Sequence, residues 1–123
     1  MARSADALEA LRDRVRAFAA ARDWGEFHTP KNLAMALAVE AAELMEHFQW
    51  LTPAQSRKLA TRARRAVAEE IADVLIYLVR LSDMLGVDPL AAARAKLRLN
   101  ARKYPVWKSK GSAAKYSRRD QLS

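Results

Sequence analysis

Apolar residues recur at spacings of three and four along most of this chain, the pattern of helices that turn one side toward a core. The first stripe comprises Leu8, Leu11, Val15 and Phe18. It follows Ser4, a residue type that caps helix starts, and fades near Arg22. A loop with two aromatic residues and a histidine, residues 23–28, then separates the first predicted helix from the second.

Three later helix starts carry the same signal, a capping residue followed by proline, at Thr29-Pro30, Thr52-Pro53 and Asp88-Pro89. The capping oxygen accepts from a free backbone N–H, and proline fits the first helical position because its missing N–H would have no partner there. The predicted helices after the first cover residues 30–50, 63–85 and 89–104, with a short helical segment from 53 to 59. Gly86 and Pro105 are the expected stops.

These elements predict an all-α fold, a bundle of four main helices, over residues 1–105. With three glycines, four prolines and 51% hydrophobic residues in 123, the composition favours long helices in one domain. The tail, residues 106–123, is poor in apolar residues and rich in Lys, Ser and Arg. We expect the tail to be extended or partly disordered.

Composition excludes several kinds of chemistry. The chain has no cysteine, so disulfides, thiolate catalysis and cysteine metal sites are excluded. No apolar run reaches the length of a membrane span, and the N-terminus lacks a signal-peptide apolar region. We therefore expect a soluble, cytoplasmic protein with no membrane partner.

The net charge of +8 is unevenly distributed. Seven basic residues and one acid lie from Arg102 onward, so +6 of the charge belongs to the C-terminal end. A basic tail attracts a phosphate-rich ligand, and it is also typical of a nucleic-acid-binding arm. Composition does not separate these two interpretations.

Two pairs of carboxylates carry the candidate chemistry: Glu40 with Glu43, and Glu70 with Asp73. The i, i+3 spacing places each pair on one face of its predicted helix, beside the apolar stripe. Carboxylates that lean toward a core repel one another unless they are protonated or neutralised by a cation. Oxygen ligands of this kind suit Mg²⁺, with Mn²⁺ as a substitute. One such pair alone would usually be a solvated helix face, and we expect Glu46 and Glu69 to be solvated positions of this kind.

The motifs occur in a characteristic order between residues 11 and 116. They are Arg22-Asp23-Trp24 with Phe27-His28, Pro30-Lys31-Asn32-Leu33, Glu40-x-x-Glu43, Phe48-Gln49-Trp50, Glu70-x-x-Asp73-Val74-Leu75-Ile76-Tyr77-Leu78, Lys96-x-x-x-Asn100-x-x-x-Tyr104-Pro105 and Lys115-Tyr116. With these motifs the chain resembles the MazG-type all-α nucleoside triphosphate pyrophosphohydrolases, in particular their small dCTP-pyrophosphatase-like branch. The resemblance implies a four-helix MazG-like bundle that forms a homodimer or homotetramer.

The resemblance also implies an activity, the Mg²⁺-dependent hydrolysis of a nucleoside triphosphate to monophosphate and pyrophosphate, with dCTP or a modified dCTP as the expected substrate. The implied metal ligands and catalytic residues are Glu40, Glu43, Glu70 and Asp73. The implied substrate contacts are Lys96 and Asn100 to phosphates, and Trp24, His28, Trp50 and Tyr77 to base and sugar. Val15 stands where some relatives carry a substrate-touching histidine, which leaves strict cytosine preference open.

Alternatives remain at the level of residues and of function. Trp24 could instead cover the core, and His28 could be an ordinary loop residue. We expect His47 to be a surface histidine, with a partner of the metal-binding carboxylates as the alternative. A di-iron bundle is disfavoured because neither acidic motif has the form Glu-x-x-His. Nucleic acid is an unlikely partner, since binding it needs no core-leaning carboxylates. The serious functional alternative is a MazG-like nucleotide-binding or regulatory module without turnover.

Overall fold

The computed structural model describes residues 4–113, with side-chain surroundings from residue 7 onward, and every regular element in this range is a helix. The helices are α1 (Ser4–Ala21), α2 (Pro30–Glu46), α3 (Pro53–Ser56), α4 (Thr61–Leu85), α5 (Pro89–Lys103) and α6 (Val106–Ser109). The four long helices confirm the predicted all-α architecture. None of the described helices is long and apolar enough to cross a membrane.

The three predicted capping signals that precede a proline form as expected. Thr29 accepts a hydrogen bond from the backbone N–H of Asn32 and is followed by proline at the start of α2. At α3, Thr52 and Gln55 exchange side-chain and backbone hydrogen bonds in a capping box. Asp88 accepts from two backbone N–H groups at the start of α5. These short-range contacts fix where three helices begin.

The C-terminal ends agree less uniformly with the prediction. Gly86 ends α4 in the left-handed conformation, at φ 66°, as predicted. By contrast α2 ends at Glu46 and not at Trp50, and turns over residues 47–50 follow it. Thr52 is extended, as the residue before a proline must be, so the chain has to leave the helix before reaching it.

The chain divides into two compact units, Met1–Val87 and Asp88–Ser123. In the first, α4 packs along α2 and also against α1. Its most buried apolar side chains are Ala19, Leu33, Val67 and Val79. Leu33 is only 1% exposed, and full burial of a leucine contributes about 1.5–3 kcal/mol. Because α4 contacts both other long helices of this unit, it is the element that positions α1 and α2.

The second unit contains α5 and α6. The last turn of α5 carries Arg102 and Lys103, whose charges are favourable near a helix C-terminus. Pro105 precedes α6, so a helical turn forms where we expected the extended tail to begin. The rest of the tail prediction, including Lys115 and Tyr116, falls on residues 114–123, outside the described residues.

Candidate metal and nucleotide site

Three glutamates from two helices meet where α2 packs along α4. Glu40 and Glu43 project from α2 and Glu70 from α4, and one carboxylate oxygen from each lies within 4.8 Å of the others. All three side chains are half-buried. We refer to these residues as the acidic cluster. Helical spacing on α2 and helix packing across to α4 together bring the three charges into one place.

The electrostatics of the acidic cluster are unfavourable without a counter-charge. Burial raises the pKa of Glu40 to about 7, and hydrogen bonding to Glu43, the charges of Glu43 and Asp73, and hydrogen bonding to Glu70 act in the same direction. The Oε2 atoms of Glu40 and Glu70 are buried and accept no hydrogen bond. Such oxygens normally have a partner, and a hard divalent cation would supply one to both. The donor set therefore fits a divalent metal ion.

The acidic residues next to the acidic cluster in the sequence are more exposed than its three members. Asp73 is exposed and lies outside the three-oxygen set, although its charge still raises the pKa of Glu40. Glu46 and Glu69 are exposed, as expected of solvated helix positions. His47, expected to be a plain surface residue, places Nε2 4.0 Å from Glu70 Oε1. That distance is too long for a hydrogen bond but close enough for attraction when the imidazole is charged.

The loop before α2 holds the predicted base contacts Trp24 and His28. Their rings meet edge to face at 6.1 Å between centroids, and Trp24 meets Phe18 of α1 in the same way at 5.7 Å. Trp24 therefore contacts the end of α1 while it remains 42% exposed. His28 is half-buried and accepts a hydrogen bond from Arg80 of α4, a residue that belongs to none of the motifs quoted above.

The remaining predicted contacts lie on different elements. Trp50 stands in the turns after α2 and is 86% exposed. Tyr77 is half-buried on α4, seven residues beyond Glu70. Lys96 and Asn100 belong to the second unit, on α5, where i, i+4 spacing places them on one helix face. Lys96 is exposed and Asn100 half-buried.

Comparison with known proteins decides the family. Residues 35–118, which include the whole acidic cluster, match the model of the MazG-like family. The chain belongs to the MazG-like family. This MazG-like chain is 46% identical over 112 residues to dCTP pyrophosphatase 1 of Rattus norvegicus and 43% identical to that of Homo sapiens. Both matches cover 89% of this chain and 66% of the relative, so the chain spans just under two thirds of the curated relatives' length.

A solved structure resembles the MazG-like chain over most of its length. It is the crystal structure of a pyrophosphatase from Archaeoglobus fulgidus, 42% identical, with a TM-score of 0.77. The match covers 85% of this chain and 98% of the archaeal one. The sequence and structure comparisons therefore both find proteins named pyrophosphatases among those similar to this chain.

Proposed function

We propose that this protein is a nucleoside triphosphate pyrophosphohydrolase that cleaves a dNTP, dCTP or a modified dCTP first of all, to the monophosphate and pyrophosphate. The observation that carries the proposal is the acidic cluster, with two buried carboxylate oxygens that lack partners. It stands in a chain 43% to 46% identical to proteins named dCTP pyrophosphatase 1. We place this activity in the cytoplasm, where nucleoside triphosphates are made and consumed.

In this proposal Glu40, Glu43 and Glu70 hold Mg²⁺, with Mn²⁺ as a substitute, and Asp73 adds a fourth carboxylate from the exposed side. When bound, Mg²⁺ offsets phosphate charge and makes a water molecule more acidic. The carboxylates contribute a second function, since a carboxylate that is not occupied by the cation can accept the proton of the attacking water. The proposed site residues are thus both ligands and a source of a general base.

The substrate contacts follow from side-chain chemistry. Lys96 and Asn100 offer N–H donors to phosphate oxygens. Trp24, Trp50 and Tyr77 offer aromatic faces on which a base can stack, and His28 offers a ring nitrogen for base or sugar. Every base can stack and bases differ only modestly in stacking strength, so strong discrimination among bases needs hydrogen bonds in addition. Preference for cytosine is for that reason a separate proposal from hydrolysis.

The reaction is tested by product analysis with Mg²⁺ and a panel of natural and modified dNTPs. We expect pyrophosphate and monophosphate from at least one nucleotide, with dCTP among the best substrates. Phosphate should appear only after inorganic pyrophosphatase is added, because the proposed cleavage leaves the β–γ bond intact. Nucleotide-induced stabilisation without hydrolysis of any panel member would instead favour the nucleotide-binding module.

We also propose that the protein is a homodimer or homotetramer. Large apolar side chains are exposed in helical stripes on the two helices that carry the acidic cluster, namely Met35, Val39 and Met45 on α2 and Ile71, Leu75 and Leu78 on α4. Exposed stripes of large apolar side chains are typical of interaction sites. Sedimentation should therefore show an oligomer at micromolar concentration, and Ile71→Glu should shift it toward monomer. A monomeric wild-type protein would contradict this proposal.

A further inference from the structure

The loop histidine His28 is held by a buried arginine. Arg80, on α4, is 8% exposed and donates from Nε to His28 Nδ1 at 3.1 Å. A guanidinium has only donors and stays protonated in proteins, so its partner must be an acceptor. The nitrogen Nδ1 of His28 therefore carries no proton while this contact exists.

The imidazole of His28 is also held in its neutral form. Burial lowers its pKa below the ordinary value, and the positive charge of Arg80 lowers it further. A neutral imidazole has one N–H, and Nδ1 is already the acceptor. The proton is therefore on Nε2, and the ring offers any further partner a single N–H donor.

Arg80 in turn contacts the carboxylate of Asp83, which also binds an arginine of α1. Its NH1 lies 3.4 Å from Oδ2 of Asp83, one turn further along α4. Asp83 also accepts two hydrogen bonds from Arg16 of α1, at 2.9 Å and 2.6 Å. The hydrogen bond from Arg16 is the largest influence that lowers the pKa of Asp83 and keeps it ionised. A continuous polar chain thus runs from α1 through Asp83 and Arg80 to His28.

A second set of contacts restricts His28 from within its own loop. Its backbone N–H donates to the carbonyl of Trp24 at 3.1 Å, and the Trp24 ring lies against the imidazole at an interplanar angle of 63°. Backbone, aromatic edge and guanidinium therefore restrict the same ring. No freedom of tautomer is left, and little freedom of rotation.

We infer that Arg80 is a positioning residue, which sets His28 so that the nucleotide meets an N–H donor at Nε2 and never an acceptor. The inference rests on the proposed function, because it takes His28 to be a substrate contact. Its consequence is chemical. The group of the nucleotide that faces His28 must be a hydrogen-bond acceptor, such as a ring carbonyl oxygen or an unprotonated ring nitrogen. An exocyclic amino group is a donor and cannot accept the hydrogen bond from Nε2.

The tautomer can be tested without metal or nucleotide. The chain has two histidines, so ¹⁵N spectra of the imidazole nitrogens are simple, and His28→Gln assigns them. At about pH 8, well above the ordinary histidine pKa, wild-type His28 should show an unprotonated Nδ1 and a protonated Nε2. Arg80→Met should bring the ¹⁵N chemical shifts of Nδ1 and Nε2 closer together, because both tautomers become populated. Arg64→Met, at an exposed position of α4, is the matched control and should leave the His28 spectrum unchanged.

Kinetics then test positioning. Arg80→Met should raise KM for the preferred nucleotide by about threefold to tenfold, the range of one neutral hydrogen bond, with a smaller effect on kcat. In a His28→Gln background the same substitution should add no further rise, because the residue that it positions is gone. An equal rise in both backgrounds would overturn the inference, as would an unchanged His28 spectrum in Arg80→Met.

If Arg80→Met fails to fold, Arg80→Lys replaces it. A lysine keeps the charge for Asp83 but has one terminal ammonium where arginine has a fork, so it should lose the His28 contact. The spectrum of Arg80→Lys should therefore show mixed tautomers, and a wild-type spectrum would overturn the inference. The spectroscopic result does not depend on hydrolysis, so failure of the proposed function and failure of the positioning role are distinguishable.

Discussion

Replacement of Glu40, Glu43 or Glu70 by glutamine should lower kcat by about a thousandfold or more, because metal-assisted catalysis contributes several kcal/mol and about 1.4 kcal/mol corresponds to a factor of ten. These are the three side chains whose oxygens converge within 4.8 Å. Glutamine keeps the size of the side chain and removes its charge, so the change tests the charge and not the packing. Steady-state hydrolysis of the best dNTP, at saturating Mg²⁺, provides the measurement.

Neighbouring glutamates provide matched controls. Glu46 and Glu69 are exposed positions on the same two helices, and Glu69 is adjacent to Glu70 in the chain. Glu46→Gln and Glu69→Gln should leave kcat within about twofold, as expected for surface substitutions away from special contacts. If Glu46→Gln reduced kcat as strongly as Glu43→Gln, the acidic cluster would not be the metal site.

The same variants have a readout besides turnover. Three carboxylates close together in a half-buried place repel one another, so Glu40→Gln should raise the melting temperature of the metal-free protein by several degrees. Glu40→Gln should also reduce the rise in melting temperature that Mg²⁺ causes. A ligand stabilises a protein by binding its folded state, so weaker Mg²⁺ binding gives less stabilisation. A lower melting temperature, with Mg²⁺ stabilisation intact, would contradict the repulsion that we describe.

Local sequence signals proved sufficient for most of the fold. Caps at Thr29, Thr52 and Asp88 and the stop at Gly86 depend on residues within one turn, and all four form. The end of α2 was predicted wrongly because the apolar pattern continues to Trp50 after the helix has stopped. Periodicity reports where apolar residues recur, and it does not report where the backbone hydrogen bonds of a helix end.

The acidic cluster was only partly predictable. The helical period placed Glu40, Glu43 and Glu70 beside the apolar stripes, and the structure brings these three together. Asp73 stands three residues after Glu70, as Glu43 stands three after Glu40, yet Asp73 is exposed and lies outside the three-oxygen set, a difference that the shared spacing does not predict. The role of Arg80 could not be found from pattern alone. An arginine on a helix is ordinarily solvated. Arg80 is buried where His28 of the loop and Asp83 of α4 contact it, and Arg16 of α1 in turn holds Asp83.

Trp50 is unusually exposed for a tryptophan. It is 86% exposed, so it belongs to no core of the described unit. It follows α2, which carries Glu40 and Glu43, and a tryptophan so exposed gains little from burial among the described residues. Its large face is available for a base or for a second copy of the chain. These two uses predict different consequences for substitution.

In the proposed nucleotide site, Trp50→Ala should raise KM for the preferred dNTP by roughly tenfold to a hundredfold, because stacking of a base on an aromatic side chain is worth about 1–3 kcal/mol. The ranking of nucleotides should become flatter, since the metal and the basic side chains bind the triphosphate whatever base it carries. The concentration of Mg²⁺ needed for activity should not change. A KM series across the dNTPs at fixed Mg²⁺ measures all three effects.

Trp107 is the matched control, an equally exposed tryptophan at 85%, on α6 in the other unit. Trp107→Ala should leave KM and the nucleotide ranking as in the wild type, which separates the effect of a base contact from that of removing any exposed indole. If Trp50→Ala instead shifts sedimentation toward smaller species and preserves the ranking, Trp50 packs against another copy of the chain. In that event the aromatic contacts of the base would have to come from Trp24 and Tyr77, because an indole packed in a subunit interface cannot stack on a nucleotide.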